Sequence, residues 1–189
     1  MINELIKRIL TSLALLPILI FSSYYSGVIF IIFLIITYLL ASYEIIKNTS
    51  NFFFILISNI FLIFAMYSFY YLRGDTIFSL LNMYWVLSVT FLSDIGGYTF
   101  GRIFKGKKLT KISPKKTYSG SIGSIILSIT SIIFLNLFQN MFLNEILINF
   151  IQLKYLILSI LISITCQLGD LYVSFWKRKI KIKNISNIL

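Results

Sequence analysis

The chain has 189 residues, 58% of them hydrophobic and only 12% charged, with a formal net charge of +11 and a mean hydropathy of +0.91. Typical soluble domains carry about 25% charged residues; this chain has too little polar surface to cover a soluble globule, and its composition is that of an integral membrane protein. Histidine is absent and Cys166 is the single cysteine, which excludes an intramolecular disulfide, a cysteine-built zinc or haem site, a histidine metal site and a histidine-based triad. Any chemistry rests on Asp, Lys, Arg, Ser, Tyr and a bound ion.

A membrane-spanning helix needs roughly 20 apolar residues, and six segments approach that length: 9–25, 27–46, 52–72, 76–93, 121–143 and 152–172. The first is short and contains Pro17; without a small-residue cleavage site behind it, it reads as a membrane helix rather than a signal peptide. Polar breaks fall at 22–27, 47–51, 73–75, in the basic stretch 102–117 and around Asn144-Glu145. The expected architecture is all-α, a single polytopic membrane domain over 1–189 with about six transmembrane helices. Cytoplasmic loops carry the Lys/Arg excess. With Lys7 and Arg8 inside, six crossings put every basic residue except Arg73 and Lys154 on that same side, so both termini are expected to be cytoplasmic.

The scarce acids stand out against this background. Asp94 and Asp170 each follow a long apolar run and lead into a basic tract, and an ionisable residue near membrane depth is a functional-site hypothesis by default. In a helix, Asp94, Gly97, Tyr98, Gly101 and Arg102 share one face. Packing accounts for the glycines, with Asp94 paired to Arg102 as its simplest form; it accounts less well for an acid and an arginine on one stripe. Asp170, Ser174, Lys177, Arg178 and Lys181 repeat the arrangement, with the carboxylate and the cations about 12 Å apart along the axis. Between them lies Ile112-Ser-Pro-Lys-Lys-Thr-Tyr-Ser-Gly120, where Ser113, Thr117, Lys115 and Lys116 supply hydroxyls and point charges suited to phosphate. Topology and attraction to anionic headgroups, about 1 kcal/mol per basic residue near the surface, explain each basic tract taken alone. Acids and basic clusters together point to a divalent metal and a phosphate-rich ligand.

These residues resemble the phosphatidate cytidylyltransferase (CDP-diacylglycerol synthase) family. The resemblance lies in Ser93-Asp94, Gly96, Tyr98, Gly101-Arg102, Lys108-Leu109, Ile112-Ser-Pro-Lys-Lys-Thr117 with Gly120, Gln167-Leu-Gly-Asp-Leu171, Ser174, Lys177-Arg178 and Lys183, in that order over 93–189. The N-terminal half is similar mainly in hydropathy and in Tyr43-Glu44. The resemblance implies a membrane enzyme of phospholipid synthesis at the cytoplasmic face of a bacterial inner membrane. It would take CTP and phosphatidate, among membrane lipids and without nucleic acid, and use Mg²⁺ or another divalent cation; a homodimer is left open. It further implies Asp170 and Asp94 at the metal and in catalysis with Lys177 and Arg178. Substrate binding would fall to Arg102, Ser113, Lys115, Lys116, Thr117, Ser174 and Lys183.

The chain departs from the family pattern at Lys183-Asn184, where an Asp follows the Lys, and at Tyr118-Ser119, where a Glu follows the aromatic. It stops at Asn187-Ile188-Leu189, before the family's Gly-His-Gly-Gly and Asp-Arg-x-Asp elements. The expectation is therefore a C-terminally truncated member, read first as an interrupted gene product. An inactive remnant, or half of a site completed by another polypeptide, remains alongside. Two other function classes stand as alternatives: a non-catalytic membrane protein binding anionic lipid through its basic loops, and a small transporter with Asp94 and Asp170 along its path.

Overall fold

A computed structural model describes residues 15–25, 27–110, 113, 116–142 and 148–179, apart from the side chains of Phe142, Lys177 and Lys179. A short apolar helix, α1 (Leu15–Tyr25), comes first. It is followed by α2 (Gly27–Asn48), α3 (Phe52–Arg73), α4 (Ile77–Ile103), α5 (Tyr118–Phe142) and α6 (Leu153–Lys179). These last five are long and apolar enough to cross a membrane, and among the described residues the β-structure is a single bridge, Lys108 with Thr117. The all-α membrane architecture expected from the sequence is thus the observed one. The helices outlast the apolar runs that announce them. α4 continues past Ser93 to Ile103, and α6 past Tyr172 to Lys179. Hydropathy marks where apolar side chains stop, whereas the backbone ladder continues until something breaks it, and neither extension contains proline.

The chain forms two compact units that divide between Leu80 and Leu81. In the first, α2 and α3 pair as a helical hairpin. Asn51 caps α3, its side-chain oxygen accepting from the Phe54 N–H at 3.2 Å and satisfying one of the donors that a helix start leaves open. Inside the pair, Asn59 Oδ1 accepts from the Ser42 hydroxyl at 2.7 Å and from Tyr38 at 3.3 Å, a polar cross-link of the kind that fixes register between membrane helices. Arg73, only 5% exposed, turns its guanidinium onto backbone carbonyls: Ser23 and Tyr24 at the end of α1, the latter at 3.3 Å, and Gly74 at 2.9 Å. A cation over the carbonyl ends of helices is favoured by the helix dipole and pairs acceptors that would otherwise be open.

In the second unit the core is built by Leu81, Trp85 and Val89 of α4, at helical spacing, with Ile132 and Leu135 of α5, Phe150, and Tyr155 of α6. Trp85 meets Tyr155 edge-on at 5.0 Å and Phe150 lies 4.7 Å from Tyr155. Gln139 and Asn136 bind the backbone of Ile148 and Phe150, fastening the approach to α6 onto α5. This apolar cluster occupies the end of the unit where α4 begins; Asp94, Lys116 and Asp170 gather at the opposite end.

Candidate functional site

At the polar end, α4 and α5 cross on glycine. A methyl group added at Gly96 would lie 2.8 Å from the Gly123 carbonyl carbon, and one at Gly120 would lie 2.7 Å from the Gly97 carbonyl oxygen. Two backbones can approach this closely only where both lack side chains. The glycine face of α4 expected from its spacing is therefore a packing face, and Gly123, a partner in the crossing, is a residue that sequence reasoning missed. The signal for it was the Gly120-x-x-Gly123 spacing.

The chain then turns sharply after α4. Lys105 (φ +51) and Gly106 (φ +106) take left-handed backbone, and the Ser119 hydroxyl donates to the Lys105 carbonyl. The basic loop folds back on itself: Leu109 N–H donates to Lys116 C=O at 2.8 Å and Tyr118 N–H to Lys107 C=O at 3.1 Å. Thr117 ends the loop and starts α5, its hydroxyl accepting from the Gly120 N–H at 3.1 Å, an N-cap.

This folding delivers Lys116 to Asp170. Its ammonium Nζ donates to Asp170 Oδ2 at 2.9 Å, an ion pair across 54 residues whose side chains are 28% and 61% exposed. Beside it is a pocket of about 290 Å³. Asp94, Ser93, Gly97 and Tyr98 line it from α4, Leu109, Lys116 and Thr117 from the loop, Gly120, Ser121 and Ser124 from α5, and Gln167 and Asp170 from α6. Underneath runs a hydrogen-bonded set. The Ser121 hydroxyl donates to Gln167 Oε1, Gln167 Nε2 lies 3.3 Å from Ser121 C=O and 3.4 Å from Ser163 Oγ, and Ser163 and Ser93 hydroxyls meet at 2.8 Å.

Of the residues singled out in the sequence, the pocket gathers Asp94, Asp170, Lys116 and Thr117. Arg102 lies outside its lining and donates to the Tyr98 hydroxyl at 3.0 Å, rather than to Asp94 as the packing reading supposed. Ser113 also lies outside the lining and accepts from the Lys116 N–H through its carbonyl at 3.0 Å. Ser174 is half-buried one turn beyond Asp170, and Arg178 is exposed a further turn on. Lys115 and Lys183, and the side chain of Lys177, fall outside the described residues. Ser121, Ser124 and Gln167 were not anticipated as site residues; Gln167 stood in the motif with Asp170, but the two serines carry no local signal.

The donor set suits a hard cation held partly by its ligand. Two carboxylates with hydroxyls provide oxygen donors, and no group of three acidic, cysteine or histidine side chains forms among the described residues. Mg²⁺ is commonly bound through one or two carboxylates plus substrate phosphates rather than by an all-protein cage. The residues present fit such an ion.

Fold and pocket define a polytopic helical membrane protein with a charged, hydroxyl-rich site where α4 and α6 end and α5 begins. The sequence model of the Cytidylyltransferase family matches residues 46–189, and the chain belongs to that family. Over 158 residues, 81% of the chain and 57% of the relative, it is 34% identical to a phosphatidate cytidylyltransferase of Staphylococcus haemolyticus. Over 110 residues, 55% of the chain and 43% of the relative, it is 39% identical to one from Rickettsia bellii. A Chlamydia muridarum protein of the same name is 34% identical over 123 residues, 62% of the chain and 39% of the relative. The chain thus spans about half the length of the curated relatives it matches. No solved structure matches it significantly.

Proposed function

We propose that this chain serves transfer of CMP from CTP to phosphatidate, giving CDP-diacylglycerol and pyrophosphate. The observation that carries the reading is the convergence of Asp94, Asp170 and Lys116 from three separate elements on one pocket, at the end where α5 begins. An oxygen of the lipid phosphate attacks the α-phosphorus of CTP, the new P–O bond forms, and the bond to the bridging oxygen breaks with pyrophosphate taking the electron pair. Such a transfer needs positioning and charge neutralisation rather than a protein nucleophile, which agrees with a chain that has no histidine.

Lys116 would move from carboxylate to phosphate as a point charge, and the first turn of α5 presents the positive end of a helix dipole to the same anion. Asp94 and Asp170 would hold Mg²⁺, which when bound neutralises phosphate charge. Asp170 already accepts one cation, Lys116. The basic loop and the Lys/Arg asymmetry of the chain support a site at the cytoplasmic face of a bacterial inner membrane, where CTP is available from water and phosphatidate from the bilayer. The relatives named phosphatidate cytidylyltransferase support the choice of substrates.

Purified protein in phosphatidate-containing proteoliposomes should incorporate label from α-phosphate-labelled CTP into lipid and none from γ-labelled CTP. Absence of lipid label from the α-labelled nucleotide, with the protein inserted, would overturn the reading.

A further inference from the structure

We infer that Gln167 is a positioning residue, its amide clamped between Ser121 and the Ser163–Ser93 pair so as to fix the separation of Asp94 and Asp170. The inference rests on the cytidylyl-transfer reading of the pocket. The two acids stand on different helices, and like charges across a pocket repel. Their spacing is therefore set by whatever locks α4 to α6 beneath them. That lock is visible: Ser93 immediately precedes Asp94, its hydroxyl meets that of Ser163 at 2.8 Å, and the two serines are 1% and 0% exposed.

Gln167, one turn before Asp170, extends the lock to α5. The Ser121 carbonyl can only accept, so the amide nitrogen of Gln167 must face it, at 3.3 Å. The amide oxygen then takes the Ser121 hydroxyl proton. Ser163 accepts from the same nitrogen at 3.4 Å, which leaves its own proton for Ser93. A directed series results, Gln167 to Ser163 to Ser93, running from the helix of one acid to the helix of the other. Gln167 lines the pocket, but its oxygen and nitrogen are both engaged in the clamp, and this separates it from a ligand-contacting role. Interhelical hydrogen bonds act beside van der Waals packing in holding membrane helices together, and their directionality ties particular residues to one another. Partners behind the ligands of a metal site change affinity by about 10- to 100-fold when removed.

The test is Mn²⁺ binding by electron paramagnetic resonance on the purified chain without nucleotide, with CTP turnover measured in parallel. Gln167→Met keeps length without hydrogen bonds, and Ser163→Ala removes the middle hydroxyl with minimal change of volume, so that one variant stands if the other fails to fold. Both should raise the Mn²⁺ dissociation constant about tenfold and lower kcat while leaving the KM for phosphatidate unchanged. Mn²⁺ affinity and kcat equal to wild type would overturn the inference and leave the cytidylyl-transfer reading intact. So would a lowered melting temperature with unchanged Mn²⁺ affinity, the mark of a purely structural pin. Wild-type protein that neither binds Mn²⁺ nor turns over CTP would overturn the functional reading, and this inference with it.

Discussion

Two glycines in the same chain should respond to alanine with opposite signs. At Gly96 the added methyl would lie 2.8 Å from the Gly123 carbonyl carbon, 3.0 Å from the Ser124 Cα and closer still to the Gly123 oxygen. Carbon atoms rest about 3.5–4.0 Å apart, and these neighbours are all backbone, so α4 and α5 must separate by roughly 0.7 Å or more at the crossing. Overpacking of this kind costs about 1–3 kcal/mol, offset by about 0.5–1 kcal/mol from replacing glycine in a helix. The net loss of about 1–2 kcal/mol corresponds to a melting temperature lower by about 2–8 °C for a chain of this size. At Gly169, beside Asp170 on α6, a methyl group meets nothing within 4 Å, only the helix-propensity gain remains, and the melting temperature should rise by about 1–4 °C. Thermal unfolding of the two variants in one detergent, followed by circular dichroism, makes the comparison. A Gly96→Ala protein as stable as wild type would refute the backbone-contact crossing.

Other perturbations read other parts of the structure. Thr117→Val removes the cap of α5 and should cost about 1 kcal/mol by thermal unfolding, with Thr117→Ser close to wild type. Lys116→Gln should change stability by less than about 1 kcal/mol, since the ion pair is solvent-exposed. Its KM for CTP should nevertheless rise about tenfold or more, the scale of a lost hydrogen bond to a charged group, measured by steady-state kinetics. Arg73→Met leaves carbonyls at the ends of α1 and α3 without their cation and should lower stability by about 1–3 kcal/mol while leaving the KM for CTP unchanged.

The membrane helices were legible because twenty-residue apolar runs have few other readings. Asp94 with Gly97 and Tyr98 was legible because a 3.6-residue period puts them on one face, and all three line the pocket. The ends of α4 and α6 were not, because apolar side chains stop before the backbone ladder does. Nor was the partner of Asp170. The nearest cations in sequence lie on its own helix, whereas Lys116 reaches it through the left-handed turn at Lys105 and Gly106 and the bridge between Lys108 and Thr117. The amide of Gln167 meets Ser121 across 46 residues, a pairing that depends on how α5 and α6 pack and leaves no trace in local spacing.

The central claim is that the pocket of Asp94, Asp170 and Lys116 performs the transfer, and Asp170→Asn tests it most directly. The measurement is CTP-dependent formation of CDP-diacylglycerol by wild-type and variant protein inserted to equal extent in proteoliposomes. Removing one preorganised hydrogen-bond donor from a reacting site costs about 10²–10³ in rate, and a loss of at least that size with unchanged insertion is the result expected for the Asp170 carboxylate. Turnover by the variant equal to that of the wild type would contradict the claim.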